Sequence, residues 1–165
     1  MRIDCPPVVL FLALVASAAS TWPETLPSLK LKDPLDAEFT DAHFKPRGLV
    51  LVATSPIESQ GRTQQAWHAE LSTHVDRSGP ALVMLEDLSQ SWFRPLVLAK
   101  MREEYRRGAP IVLLLDESGA TRRAFGVAEN ATVAFAFDRS GKLAAVETGA
   151  PTPERTRKLL DAARR

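Results

Sequence analysis

Residues 111–149 read IVLLLDESGATRRAFGVAENATVAFAFDRSGKLAAVETG. Ile111 to Leu115 is an unbroken apolar run. A strand wetted on one side alternates polar and apolar residues, so this one is expected to be buried on both faces. Asp116-Glu117-Ser118-Gly119 closes it with turn residues, and Ala120 to Phe125 reads as one or two helical turns. Thr132 to Phe137 is a further strand. Asp138-Arg139-Ser140-Gly141 then turns the chain back into Leu143 to Glu147, a hairpin. Thr152 and Pro153 suit the cap and first position of a last helix, whose Leu159, Leu160 and Ala163 face the sheet.

The same grammar extends upstream. Gly48 opens Leu49-Val50-Leu51-Val52-Ala53, another strand with no polar residue. A loop from Thr54 to Gly61 leads to a helix from about Arg62 to Val75, with Trp67, Leu71 and Val75 spaced by four. Ser78-Gly79-Pro80 stops it. Ala81 to Leu85 is a buried strand, and Asp87 to Arg94 a connection in which Trp92 and Phe93 are read as cover for the sheet edge, with a contact patch as the alternative. Pro95 starts a helix carrying Leu96, Val97, Met101 and Tyr105, which ends at Gly108. Buried strands alternating with amphipathic helices mean an α/β sandwich with a mostly parallel core. In the proline-rich stretch before Gly48, Leu29 and Leu31 alternate with lysines as in a short edge strand. Asp36 to Asp41 reads as a weak turn.

Val8 to Ala16 is apolar, followed by small residues and an Ala16-Ser17-Ala18 cleavage pattern. It is too short to span a bilayer, which takes about twenty residues, and fits a secretory signal. The expected destination is the periplasm or an equivalent exported space. The single cysteine, Cys5, lies in this leader. The mature chain is therefore expected to carry no thiol, and dithiol exchange and thiol-based peroxide reduction both require one. A formal net charge of +1 gives no reason to expect nucleic acid as a partner. The basic clusters around Arg102 to Arg107 and Arg155 to Arg165 alternate with acids and read as solvated helix faces.

Taken in order, the strand with Asp116 and Gly119, the Arg123-Ala124-Phe125-Gly126-Val127 segment, strand-Asp138-x-x-Gly141 and Glu147-x-Gly149 with its final helix resemble the C-terminal half of the thioredoxin and peroxiredoxin superfamily. Gly61-Arg62-Thr63 and the ending Gly149-Ala150-Pro151-Thr152-Pro153-Glu154 are similar to the YtfJ-type group of periplasmic thioredoxin-like proteins. The resemblance covers roughly Gly48 to Leu160. It implies a fold and a compartment rather than a reaction. Where redox-active members carry Cys-x-x-Cys after the first central strand, this chain has Ser55-Pro56-Ile57-Glu58-Ser59-Gln60. Counting back from Asp138 puts Thr132 where the superfamily places a cis-proline. A cis bond before a non-proline residue costs about 2.5–4 kcal/mol, so a trans peptide is expected there.

Other chemistry finds little support. His68 and His74 are six apart and point to different helix faces, and His43 lies in the irregular stretch, so no metal site is expected. Ser55, Ser59 and Ser89 have no Gly-x-Ser-x-Gly elbow. Glu86 with Asp87, and Asp116 with Glu117, are carboxylate pairs at strand ends, read as turn and cap residues. Asn130-Ala131-Thr132 has the form of a sequon, discounted because Thr132 enters a strand. Arg62 near a helix start, with Ser59 and Thr63, is a candidate anion receptor.

The sequence thus predicts a thioredoxin-like three-layer α/β sandwich with a central mostly parallel sheet and a C-terminal antiparallel hairpin. Its division is a signal peptide at 1–18, a proline-rich extension at 19–47 and the domain at 48–165. The expected role is a redox-inactive envelope module that binds a protein or peptide. The alternative is an enzyme or binder acting on a small anion at the Ser55 to Thr63 loop. The candidate face is Ser55, Ser59, Gln60, Gly61, Arg62, Thr63 and Thr132. No catalytic residue, metal, cofactor or mature membrane span is expected.

Overall fold

The computed structural model describes residues 22–55, 58–108 and 111–165. The expected signal peptide at 1–18 lies outside these residues. The strands are β1 (Lys30–Lys32), β2 (Glu38–Thr40), β3 (Leu49–Thr54), β4 (Ala81–Asp87), β5 (Val112–Asp116), β6 (Thr132–Phe137) and β7 (Leu143–Thr148). The helices are α1 (Glu58–Ser72), α2 (Arg94–Arg106), α3 (Ala120–Ala124) and α4 (Pro153–Ala163). One seven-stranded sheet runs β2-β1-β5-β4-β3-β6-β7. Its β5-β4-β3 core is parallel, while β6 and β7 add antiparallel strands beyond β3.

The unbroken apolar runs reflect two cores. Alternate residues of β3 serve opposite faces: Val50 and Val52 join Trp67 and Leu71 of α1 and Leu159 of α4. Leu49, Leu51 and Ala53 join Phe125, Phe135 and the N-terminal Leu26, Leu29 and Phe44. Residues 22–47 therefore help cover the second face. The stretch is anchored near the hairpin by Leu26 N–H on the Gly141 carbonyl at 2.7 Å, and β1 pairs antiparallel with β5 near the opposite edge. Gly48 cannot carry a side chain. Its φ is +72°, and a Cβ would lie 1.9 Å from the Ala163 carbonyl oxygen at the end of α4. The last helix is capped as its sequence predicts, with Thr152 Oγ1 accepting from Arg155 N–H at 3.2 Å.

Several expectations are corrected. Helix α1 begins at Glu58, four residues before Arg62, and ends at Ser72. Val75 therefore falls outside the apolar stripe and is exposed. Glu38–Thr40, within the expected turn, is instead a strand paired with β1. β4 runs on through Asp87, so Glu86 and Asp87 lie within the strand. Trp92 and Phe93 do not cover the sheet: they are 95% and 73% exposed, with Leu96 71% exposed beside them on α2. The expected apolar stripe of α2 buries no residue fully. Polar ties hold this helix to the N-terminal stretch, with Arg102 donating to the Pro34 carbonyl at 2.8 Å and pairing with Asp36 at 3.2 Å. No helix among the described residues is long and apolar enough to cross a membrane.

Candidate functional site

The strand register builds a polar row at the C-terminal end of the parallel core. Thr54 of β3 lies opposite Glu86 of β4 and opposite Thr132 of β6. The residues two and four before Thr54 and Glu86, and two and four after Thr132, lie in the core beneath α1 and α4. Period-2 alternation therefore puts all three polar side chains on that same face. Helix α1 contributes two residues one turn apart, as i, i+4 spacing allows. Gln60 Oε1 accepts from Thr132 Oγ1 at 2.9 Å, and Gln64 donates its amide to the Glu86 carboxylate. Thr54, buried between them, has no hydrogen-bond partner for its hydroxyl among the described residues. Burial pushes the Glu86 carboxyl above the usual carboxylate range; the Gln64 bond opposes this and the Asp87 charge adds to it.

The loop before Thr132 is tied down by its own backbone. The buried Ser55 hydroxyl donates to the Glu129 carbonyl, Ser55 N–H to the Ala131 carbonyl at 3.2 Å, and Ala131 N–H to the Ala128 carbonyl at 3.2 Å. The Ala131–Thr132 peptide is trans, since no cis peptide occurs among the described residues. The Thr132 carbonyl accepts from Gly149 N–H at 2.9 Å. The Gly149 carbonyl in turn accepts from the Trp67 indole at 2.7 Å. The row is thus fixed from α1 on one side and from Gly149, just past β7, on the other.

Of the residues expected on this face, Gln60 and Thr132 bond directly and Ser55 joins them through the 128–131 loop. Gly61 faces open space, with nothing within 4 Å of where a Cβ would stand. Arg62 is exposed and Thr63 half-buried. The side chain of Ser59 lies outside the described part, as do Pro56 and Ile57. Arg62 stands in the second turn of α1 rather than at its start, away from the first-turn amides that would receive an anion. Sequence reasoning missed Thr54, Gln64 and the role of Glu86. The signal was present: each of three apolar strands meets a polar residue at the same level, and two glutamines sit four apart on the helix above.

The other carboxylates are structural. Asp87 points to the opposite face from Glu86 and pairs with Arg122 Nε at 2.6 Å, both side chains buried. Its second oxygen accepts Ser89 N–H at 2.8 Å. Asp116 accepts Arg122 N–H at 2.8 Å, and the Arg122 guanidinium also reaches the Val127 carbonyl. Burial pushes the Asp87 carboxyl up, but the Ser89 bonds and Arg122 outweigh it and hold it below the usual range. Glu117 is exposed, 3.6 Å from Arg94. Asp116 and Glu117 stand at the turn expected for them, whereas Asp87 forms a buried ion pair from within its strand rather than serving a turn. The histidines stand apart: His43 Nδ1 accepts from Thr40 N–H at 3.0 Å, capping a short turn, and His74 pairs with Glu70 at 3.5 Å. His68 is exposed on α1. Among the described residues no cluster of potential metal ligands forms.

This architecture is a thioredoxin-like fold. A thiol:disulfide interchange protein of the thioredoxin family from Chlorobium tepidum superposes with a TM-score of 0.64 at 17% identity, covering 88% of this chain and 99% of that one. An uncharacterized conserved protein from Geobacillus kaustophilus gives 0.67 at 18% identity, covering 88% and 83%. The exposed lipoprotein thioredoxin Etrx1 from Streptococcus pneumoniae gives 0.61 at 14% identity, covering 81% and 98%. At these identities the likeness is one of fold. No family model and no curated protein matches the sequence.

Proposed function

We propose that this chain is an exported, redox-silent thioredoxin-fold protein that binds a protein or extended peptide in the cell envelope. Its face is the sheet end around Ser55, Gln60, Gly61 and Thr132. The observation that carries the reading is what occupies that end. After β3, where redox-active relatives of this fold place cysteines, the row is built from hydroxyls, amides and one carboxyl, and residues 22–165 contain no cysteine. Without a thiolate there is no attacking group for disulfide exchange. Export is supported by the leader pattern at 1–18 and by the likeness of fold to an exposed lipoprotein thioredoxin. The Gly61-Arg62-Thr63 and Gly149 to Glu154 motifs support kinship with the YtfJ-type periplasmic group.

A protein or peptide is favoured over a small anion because Arg62 is displaced from the helix start. The backbone of Ala131 is engaged on both sides, so side chains rather than that peptide unit would hold the partner. The test is panning of the full chain against displayed extended peptides, wild type against Gly61→Trp. No atom lies within 4 Å of where the Cβ of a residue at 61 would stand, so the larger side chain starts from open space. Peptides retained by the wild type and lost by the variant support the reading. Equal retention, or none, contradicts it, as does thiol–disulfide exchange above a no-protein control.

A further inference from the structure

Beside the polar row, between α1 and α2, lies a cleft open to solvent with a volume of about 560 Å³. Its size is that of a site for a small organic molecule. Met84 and Leu113 line it from the sheet, Met101 and Tyr105 from α2, and Gln64 and His68 from α1. Because α2 buries no residue fully, its apolar side chains border this space without filling it. Glu86 lines the same space, and the Gln64 bond engages only one of its two oxygens.

The charges around the cavity favour one sign of ligand. Glu86 and Glu104 line it against a single arginine, Arg107, which is already paired with Glu103 at 2.5 Å. Glu104 meets Lys100 only at 4.0 Å, on the exposed surface. A carboxylate held in apolar surroundings gains most from a cation that brings its own hydrogen-bond donors. We propose that this cavity binds a small organic amine, its ammonium group on Glu86 and its apolar body against Met84, Met101 and Leu113. The site adjoins the peptide face and shares Glu86 and Gln64 with the polar row, and its test reads amine binding rather than peptide binding. Burial of Glu86 is consistent with the assignment, since an adjacent ammonium draws a desolvated carboxyl back toward ionisation.

Methionine supplies the probe. The chain has three methionines, and the two beyond Met1 are Met84 and Met101, both lining the cavity. In the full chain with ¹³C-methyl methionine, 2-phenylethylamine is titrated against 3-phenylpropionate, which has the same body and the opposite charge. The amine is expected to shift both methyl resonances saturably and the carboxylate to leave them in place. Glu86→Gln is expected to weaken the amine by about tenfold or more. Leu113→Phe, which narrows the cavity and leaves Glu86 in place, is expected to weaken it as well. Methyls unmoved by millimolar amine, equal response to both compounds, or wild-type affinity in either folded variant would overturn the proposal.

Discussion

Glu86 and Asp87 are neighbours at the end of β4, yet they sit in opposite environments. Asp87 faces the α3 side, where Arg122 and Ser89 satisfy it and hold its carboxyl low. Glu86 faces the α1 side, where one glutamine amide meets it and burial pushes it up. One end of one sheet is therefore split into a locked half, whose polar groups are used internally, and an open half with a hydroxyl unpartnered among the described residues, a desolvated acid and an adjoining cavity. Polar residues at strand ends are thus not evidence of a site in themselves. What separates the halves is whether a charge meets an equal and opposite charge.

The sharpest break in the comparison comes from the ion pair. Asp87→Asn leaves Arg122 buried without its counter-charge, and a loss of about 3–5 kcal/mol is expected in urea unfolding. Glu86→Gln strands no charge, because the new amide can still accept from Gln64, and no comparable loss is expected. Equal losses would erase the distinction between the halves.

A second contrast lies in two glycines. Gly119 has φ +68°, and a Cβ there would stand 2.9 Å from Asp87 Oδ2, so Gly119→Ala should cost about 1–2 kcal/mol from the backbone conformation alone. Gly61 lies inside α1 with open space around it, and Gly61→Ala should gain about 0.5–1 kcal/mol. Thermal unfolding of the two variants reads both signs.

The pH dependence should divide the same way. Asp87 has a lowered folded-state pKa, so its contribution is present above the usual carboxylate range and is lost as pH falls through that lowered value. Glu86 has a raised one. Its contribution is fully present below the usual range and is lost as pH rises through the raised value. Glu86→Gln should therefore gain stability over the wild type on the alkaline side and lose that gain in acid. Urea midpoints across pH check this; a gain that grows toward acid would contradict it. A further effect is local. Thr54→Val replaces a buried hydroxyl without a partner and should raise stability by about 1 kcal/mol in the same measurement.

Much of the fold was legible because apolar runs report burial on both faces whatever lies above them. Leu49 to Ala53, Ile111 to Leu115 and Thr132 to Phe137 marked the central strands, and Asp138 to Gly141 marked the hairpin. Helix α2 was misread because Leu96, Val97, Met101 and Tyr105 have helical spacing, and spacing does not say whether a partner surface is close enough to bury them. Trp92 and Phe93 fail as edge cover because a connecting segment need not lie against the sheet, and both stand exposed. Of the site, Gln60 and Thr132 were picked from the position of the loop and the cis-proline count. The row as a whole was not, because it depends on register between β3, β4 and β6, which brings together residues 54, 86 and 132 only once the strands pair.

The most direct test places a photo-reactive residue at Arg62, exposed on the open half, and separately at Glu117, exposed on the locked half, in the full chain expressed in a bacterial host. After irradiation, adducts are identified by mass spectrometry. A discrete protein or peptide adduct from position 62 and none from position 117 is the predicted result. Adducts from 117 alone, or from neither position, would contradict the assignment of the open half as the binding face.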